Sequence, residues 1–286
     1  MTWNLYKWTW QLKSPLYVGM PPAGSINRCR LYIPARAMWG ALTAELARHE
    51  ADGDFPGYKN IGDSLHKNMR FTYLYPAERQ EKKWKAWLPA FSDKHDFRWR
   101  LEDSDKCVTN RSFRRMLLHT RPGTSIDPSS DAAESGSLRE TEYIQARWPD
   151  GSAVAMVGYV LADDNKHYDR INIIKKLFIG GDTRYGLGAL ERISMNGAEN
   201  IFGHNVNFAK QDPIVESNTI FAHGHTGIET LLCGEYESLQ GWDLSSKKLI
   251  SDSQRGKPYL TPGSHLGQKV KWEIGQNGIW HEEAKS

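Results

Sequence analysis

The segment KKLFIGGDTRYGLGALERI, from Lys175 to Ile193, places a glycine-rich loop between two predicted elements. The residues just before the loop, YDRINIIKKLF, carry Ile171, Ile174 and Phe178 at helical spacing, and LGALERISM after it has the composition of a strand. We therefore predict a helix, a loop and a strand in this order. Gly180 then stands where a helix C-cap is expected, and the other glycines suit a tight turn.

The loop matches neither of the common nucleotide-binding motifs. It lacks the Gly-Lys-Ser/Thr ending of a P-loop, and it lacks a G-x-G-x-x-G that follows a strand and opens a helix. Because a helix is predicted before the loop, no helix N-terminus offers a pyrophosphate site here. The residues do offer amides without a neighbouring Cβ, a cation in Arg184 and a ring in Tyr185, which suit a phosphodiester backbone. A purely structural turn is the alternative.

The N-terminal part of the chain shows a similar order of elements. In LYKWTWQLKSPLYVG, Trp8 and Trp10 alternate with polar residues, which predicts a half-buried strand with its tryptophans in the core. Pro34 precedes ARAMWGALTAELARH, where apolar residues at helical spacing predict a helix. Two further strands are predicted, RFTYLYP at 70–76 and the strongly apolar SAVAMVGYVLA at 152–162.

The order of these elements predicts an α+β fold. The first predicted elements are a strand, a helix and a strand, and much later come a strand, a helix, the loop and a strand. This order suits a ferredoxin-like (RRM-like) domain, which is a sheet with two helices on one face. We assign it to residues 1–195, with a large central insertion at about 77–140, in which residues 106–137 are predicted to form a long loop. Residues 196–286 are predicted to form a β-rich C-terminal extension, with a second, degenerate ferredoxin-like half as the alternative.

The composition narrows the class of protein. The 286 residues include 37 Lys plus Arg and 34 Asp plus Glu, a net charge of only +3, so a nucleic-acid partner must be bound by local basic patches. The three cysteines lie far apart, which argues against a disulfide framework and a structural zinc site. No segment has the length and apolarity of a membrane span, and the N-terminus lacks the pattern of a secretory signal. We expect a soluble protein of the cytoplasm.

Two histidine-containing motifs invite a comparison with metal sites. AHGHTG and FGHN contribute His204, His223 and His225, but neither motif contains carboxylates or cysteines at ligand spacing. We therefore assign no metal and no cofactor.

Three segments, in their order along the chain, resemble the RAMP superfamily of CRISPR effector subunits. They are the entry from the first strand into the first helix (Ser14–Leu46), the Ser-Ile-Asp-Pro segment (Arg121–Ile144) and the glycine-rich loop (Phe178–Leu190). They span the first two thirds of the chain, and YLTPGSHLG near its end is similar to type III relatives. The resemblance implies ferredoxin-like domains that bind a guide RNA. It also implies other effector subunits as partners, the backbone-forming subunit above all, contact with target nucleic acid only indirectly, and no membrane.

The resemblance also bears on catalysis. Backbone subunits that cut target RNA place an aspartate in the loop between the first strand and the first helix, whereas this loop, Met20 to Tyr32, contains no Asp or Glu. Guide-processing relatives use a histidine without a metal. His49 is the formal candidate, but a lone histidine at a helix end usually complements the helix dipole, and in those relatives the glycine loop lies closer to the C-terminus.

We therefore expect a non-catalytic subunit that caps the 5′ repeat-derived end of the guide RNA and docks on the backbone subunit. The alternatives are a metal-dependent backbone ribonuclease that cuts target RNA, a metal-independent guide-processing endonuclease, and a scaffold that binds no RNA.

An arginine-rich segment, NRSFRRMLLHTR, supports RNA binding. Its cations are unmatched by nearby acids and are interleaved with Phe113 and His119, as expected of residues that contact phosphates and stack under bases. A solvated charged face is the alternative. The predicted RNA-binding residues are Arg28, Arg30, Arg36, Arg111, Phe113, Arg114, Arg115, His119, Arg121, Gly180, Gly181, Thr183, Arg184, Tyr185, Gly186 and Gly188.

Overall fold

A computed structural model describes residues 3–51, 57–92, 96–209, 211–225, 231–243, 248–251 and 258–283. Its fold is mixed α+β, with mostly antiparallel sheets. The helices of the described residues are α1 (Ala35–Glu50), α2 (Tyr58–Asn68), α3 (Asn110–Leu117) and α4 (Asn165–Asn172).

The strands up to residue 197 build a nine-stranded main sheet and two smaller sheets. These strands are β1 (Asn4–Leu12), β2 (Ile26–Asn27), β3 (Met69–Phe71), β4 (Tyr75–Gln80), β5 (Lys83–Phe91), β6 (Phe97–Leu101), β7 (Cys107–Thr109), β8 (Leu118–Gly123), β9 (Ile126–Asp127), β10 (Ala132–Ala133), β11 (Arg139–Ile144), β12 (Ala155–Ala162), β13 (Lys176–Phe178) and β14 (Ala189–Gly197).

The later strands build a second nine-stranded sheet and one hairpin. They are β15 (Asn200–Ile201), β16 (His204–Asn207), β17 (Ile214–Thr219), β18 (Gly224–His225), β19 (Leu231–Cys233), β20 (Tyr236–Glu237), β21 (Gln240–Asp243), β22 (Lys248–Ser251), β23 (Tyr259–Leu260), β24 (His265–Ile274) and β25 (Trp280–Glu282).

The centre of the main sheet has ferredoxin-like topology. Strands β14, β1, β12 and β3 lie side by side, and every neighbouring pair is antiparallel. Numbered by their order along the chain, these neighbours are the fourth, first, third and second strands of the unit. Helices α1 and α4 provide its two helical crossovers. The fold class predicted from the sequence is confirmed.

Strand β1 shows why this sheet forms. Trp8 and Trp10 are fully buried on one face, and Lys7 and Gln11 on the other face remain partly exposed. The Trp8 ring stacks on Phe71 of β3 with ring centroids 5.9 Å apart. Burying each large apolar side chain contributes about 1.5–3 kcal/mol, so this alternation sets the register of the strand.

The glycine loop follows a strand, so the helix predicted to lead into it is too long. Helix α4 ends at Asn172, and β13 then pairs with β14, placing Leu177 opposite Leu190. The apolar spacing that predicted a continuous helix therefore belongs to two elements, because Leu177 and Ile179 alternate along a strand into the core. The interpretation of Gly180 as a helix C-cap is wrong for the same reason.

Residues 106–137 of the central insertion, predicted to form a long loop or extended insertion, contain short strands and a helix. Strands β4 to β7 extend the main sheet, and Thr109 caps α3 by accepting a hydrogen bond from the Ser112 amide at 3.3 Å. The Phe113 ring of α3 stacks on Trp99 of β6 at 4.6 Å between centroids, and both are buried. Short strands and one two-turn helix lack a long hydrophobic period, which explains why the segment resembles a loop in sequence.

The second nine-stranded sheet has the order β15-β16-β17-β24-β25-β18-β23-β20, with β19 on β24. No helix occurs among the described residues after 197, so the described part of this region consists of strands and turns. It packs on the main sheet, since the Tyr75 hydroxyl donates to the Phe221 carbonyl at 2.9 Å and the Phe202 amide donates to the Tyr159 hydroxyl at 3.2 Å.

Candidate nucleic-acid interface

The glycine loop contains one 3-10 turn, Thr183 to Tyr185, bounded by residues in the left-handed region. Asp182 has φ 57° and Gly186 has φ 86°. Within the turn the Tyr185 amide donates to the Asp182 carbonyl at 2.9 Å. The turn projects Arg184 and Tyr185 into solvent, and the Tyr185 side chain is 62% exposed.

Two glycines of the loop are required by close backbone contacts. A Cβ on Gly180, where φ is 88°, would lie 2.1 Å from the Tyr17 carbonyl oxygen, and one on Gly188 would lie 2.0 Å from that of Ile179. Gly180 therefore lets the loop pack against the segment that follows β1, whereas Gly188 lets the two ends of the loop approach each other.

This packing uses several of the amides that the sequence analysis assigned to phosphate. The Gly181 amide donates to the Tyr17 carbonyl at 2.9 Å, the Gly188 amide to Pro15 at 2.7 Å and the Gly186 amide to Thr183 at 3.1 Å. These three donors are not available to a ligand in this conformation. The amides of Thr183 and Arg184, at the start of the turn, have no acceptor within the part of the chain that the structure describes.

A small sheet of the insertion stands beside the loop. Strand β11 pairs antiparallel with β8 and parallel with β2, which belongs to the loop between β1 and α1. The β8–β11 register places His119 opposite Tyr143 and Arg121 opposite Thr141, so all four side chains share one face. Asn27 of β2 donates to Thr141 Oγ1 at 3.3 Å and extends this face.

The glycine loop and the β8–β11 pair together form a cleft of about 190 Å³. Its cations are Arg121 and Arg139, which are exposed and make no salt bridge with any described residue. The remaining residues that line it are Pro122, Gly123, Thr124, Thr141, Tyr143, Asp182, Tyr185 and Leu187.

This arrangement suits a short piece of single-stranded RNA. The two guanidinium groups can each donate two parallel hydrogen bonds to a phosphate, and Tyr143 and Tyr185 offer rings to unstacked bases. Asp182 in the wall repels phosphate, so the strand must approach from the arginine side of the cleft.

Arg30, predicted to contact RNA, is occupied elsewhere. Its guanidinium forms a two-pronged ion pair with Glu237 of the C-terminal sheet, one arm at 2.8 Å, and the same nitrogen donates to the Tyr32 hydroxyl at 2.9 Å. The Arg30 side chain is only 11% exposed. The prediction is corrected: Arg30 joins the two parts of the fold.

The ion pair belongs to a buried network. His223 Nε2 lies 2.9 Å from Glu237 and His223 Nδ1 lies 2.7 Å from the Tyr73 hydroxyl. Because an ionised carboxylate only accepts, Nε2 carries the hydrogen and Tyr73 donates to Nδ1 of a neutral ring. Burial lowers the pKa of His223. Burial alone would raise the pKa of Glu237, but the hydrogen bonds from His223 and Arg30 outweigh it and lower that pKa to about 2.

Two further predicted contacts are corrected by the packing of α3. Phe113 is fully buried against Trp99, so its ring cannot stack under a base. A single guanidinium nitrogen of Arg114, Nη2, donates to both carboxylate oxygens of Glu142, at 2.8 and 2.9 Å. Glu142 also accepts from the Cys29 amide at 2.9 Å, so Arg114 helps to anchor the loop after β1.

The other predicted cations remain accessible but do not all meet. Arg111 and Arg115 are exposed on α3, and Arg184 is exposed on the glycine loop. Arg28 is half-buried in the loop before α1, and Arg36 is exposed at the start of α1. None of the five lines the cleft.

The cleft contains residues that the sequence analysis missed. Arg139, Thr141 and Tyr143 recur at every second position of RETEYI, and this period of two is the signal of a strand face that could have identified them.

The histidines of AHGHTG and FGHN do not converge. The described residues that could together hold a metal ion are instead Asp163, Asp164 and His167. His167 Nδ1 lies 2.7 and 2.8 Å from the two carboxylates, and Asp164 already caps α4 by accepting from the His167 amide at 2.8 Å. The capping geometry accounts for the position of Asp164 beside His167.

Comparison with known proteins gives a structural match. No family model and no curated protein sequence matches the chain. The fold is similar to that of a chain in a cryo-EM structure of the type III-B Cmr-beta complex bound to cognate target RNA and AMPPnP. The TM-score is 0.55 and the sequence identity 11%, over 91% of this chain and 85% of the other. At this identity the likeness shows the fold.

Two other Cmr-beta structures also match. One is bound to cognate target RNA, with TM-score 0.42 and 12% identity over 68% of this chain and 96% of the other. The other is the apo state, with TM-score 0.42 and 11% identity over 68% and 98%. No helix of the described residues is long and apolar enough to cross a membrane.

Proposed function

We propose that this chain is a non-catalytic RNA-binding subunit of a class 1 CRISPR effector complex, of type III or a derivative. The observation that carries the proposal is the cleft in which Arg121 and Arg139, free of ion pairs among the described residues, face Tyr143 and Tyr185. The shared fold with a chain of a Cmr-beta complex bound to target RNA supports it.

Within such a complex we assign the chain to the 5′ repeat-derived end of the guide RNA. A subunit at the end of a filament needs one face for the nucleic acid and one for the neighbouring backbone subunit. Strand β13 is the edge of the main sheet, and it exposes Phe178 (54%) together with Lys176. An unpaired sheet edge with an exposed aromatic ring suits docking of another subunit.

The absence of catalysis rests on the carboxylates near the loop between β1 and α1. Met20 to Tyr32 contains no Asp or Glu. Glu142 and Glu237, which reach the loop from other elements, are neutralised by Arg114 and Arg30. A carboxylate held by an arginine is a poor metal ligand and a poor base at neutral pH.

One observation favours the alternative, a ribonuclease of the same fold. Glu140 lies beside Ile26 in the β2–β11 register and has no ion-pair partner among the described residues. A metal-dependent enzyme would use this carboxylate, whereas a metal-independent one would use a histidine such as His49, which is exposed at the end of α1.

The proposal is tested by purifying the native complex and sequencing its RNA. We expect a discrete short RNA with a repeat-derived 5′ end, and a complex without RNA would contradict the proposal. Incubation with repeat RNA and with guide-paired target RNA, with magnesium or with EDTA, tests for cleavage. Discrete products that disappear in Glu140→Gln or His49→Ala would identify the enzyme instead.

A further inference from the structure

The main sheet has one face that the helices do not cover. On the helical face the Tyr6 ring contacts Tyr168 of α4 at 4.3 Å between centroids, and Tyr6 alternates with Lys7 along β1. Lys7, Thr9 and Gln11 therefore point to the opposite face.

The C-terminal sheet covers only part of this opposite face. It contacts Tyr159, which pairs with Lys7, through the Phe202 amide. Beyond that contact a groove of about 840 Å³ lies open between the β4–β5 hairpin and β14. It shares no lining residue with the cleft beside the glycine loop.

The charge of the groove is positive. Five cations and two acids line it, and Glu102 already pairs with Lys7 at 3.0 Å. Arg79, Lys82 and Lys83 are exposed on the hairpin, and their side chains have no ion pair or hydrogen bond with the described part of the chain. These three charges are therefore free to contact a ligand.

The groove also holds an aromatic ring among polar groups. Trp84 is half-buried and pairs with Arg79 in the β4–β5 register, so the ring and the guanidinium share one face. The floor offers the partly exposed side chain of Gln11 and the exposed side chain of Asn196, which can hydrogen-bond to base edges.

We propose that this groove binds single-stranded nucleic acid, independently of the cleft beside the glycine loop. Arg79, on the same face as Trp84, and Lys82 and Lys83, at the tip of the hairpin, contact phosphates, and Trp84 stacks under a base. A charged track beside an aromatic ring on an open sheet face is the usual arrangement for single strands. A docked protein would need a more apolar floor than Thr9 and its neighbours provide.

The test uses the full chain and fluorescently labelled uridine and deoxyuridine oligonucleotides in anisotropy titrations at several salt concentrations. The Arg121→Ala/Arg139→Ala variant serves as the background, so that the cleft contributes little. Binding must persist in this background. Adding Arg79→Ala, Lys82→Ala and Lys83→Ala should then reduce the salt slope by about 2, since each phosphate contact on a single strand contributes about 0.7.

A matched control removes three exposed lysines from helices, Lys59, Lys67 and Lys166, and should leave the slope unchanged. Trp84→Ala should weaken binding roughly 5- to 100-fold, the loss expected for one stacked base. Tighter binding of the uridine oligonucleotide than of its deoxyuridine counterpart would assign the floor contacts to the ribose 2′-hydroxyl.

Four results would overturn the inference. Three of them are an unchanged slope in the hairpin variant, the same loss in the lysine control, and a polyglutamate peptide that binds the groove while the oligonucleotides do not. Loss of all binding in the Arg121→Ala/Arg139→Ala background would also remove the groove as an independent site. If binding is unchanged when Arg121 and Arg139 are replaced and is lost only when the hairpin residues are replaced as well, the result supports the groove and refutes the proposed cleft. The two proposals therefore fail separately.

Discussion

Replacing Glu237 by Gln should destabilise the protein strongly. The change keeps the shape of the side chain but leaves the Arg30 guanidinium, 11% exposed, without its counter-ion. Removing one partner of a buried ion pair costs about 3–5 kcal/mol, because the remaining charge stays desolvated. The loss of the hydrogen bond between His223 and a charged acceptor acts in the same direction.

The measurement is urea unfolding of the full chain, followed by tryptophan fluorescence. Glu191→Gln is the matched control, because Glu191 pairs with Lys13 at 2.8 Å while both side chains are well exposed, 35% and 46%. An exposed pair contributes about 0–1 kcal/mol. If the two variants lose similar free energies of unfolding, the reasoning about the buried network is refuted.

The same network predicts a pH dependence with a definite sign. Since the pKa of Glu237 falls from 4.5 to about 2 on folding, its ionised form stabilises the protein above pH 4.5, and this contribution is lost as the pH falls toward 2. The pKa of His223 is lowered from 6.5, so acidification below that value also favours the unfolded state. The contribution of the Glu237 carboxylate to the difference in unfolding free energy between wild type and Glu237→Gln should therefore narrow below pH 4.5.

Three further predictions concern the loop and the insertion. Gly188→Ala should lower the melting temperature more than Gly186→Ala does. Both glycines have positive φ, but only a Cβ on Gly188 would clash, because it would lie 2.0 Å from a carbonyl oxygen. Equal melting temperatures of the two variants would contradict this. Tyr185→Ala should weaken binding of a repeat-derived RNA roughly 5- to 100-fold, whereas Tyr185→Phe and the exposed-ring control Tyr58→Ala should not. Phe113→Ala should cost about 3–5 kcal/mol of stability by urea unfolding, and a stable variant with weakened RNA binding would restore Phe113 to the interface.

The sequence was sufficient for the ferredoxin-like unit because its strands carry clear alternation. Trp8 and Trp10 bury one face of β1, and the continuous apolar run of β12 is buried on both faces, as its composition indicates. The end of α4 was predicted wrongly because apolar residues spaced for a helix, such as Ile171 and Phe178, are divided between a helix end and a short strand.

The site was less predictable because pairing decides which cations are free. Arg30 and Glu237 are 207 residues apart in sequence, so no local pattern shows that they meet. Arg121 and Arg114 look alike in the sequence, yet the fold brings Glu142 to Arg114 and leaves Arg121 unpaired among the described residues. Long-range contacts therefore divide the predicted arginines into structural and accessible ones.

The most direct test of the central claim is a salt titration of a repeat-derived RNA against Arg121→Ala/Arg139→Ala. The account predicts a salt slope lower by about 1.4, two lost phosphate contacts on a single strand, with an unchanged urea midpoint. The variant Lys59→Ala/Lys67→Ala, on the exposed surface of α2, should bind as the wild type does. A slope identical to that of the wild type in the arginine variant would show that the RNA does not enter the cleft.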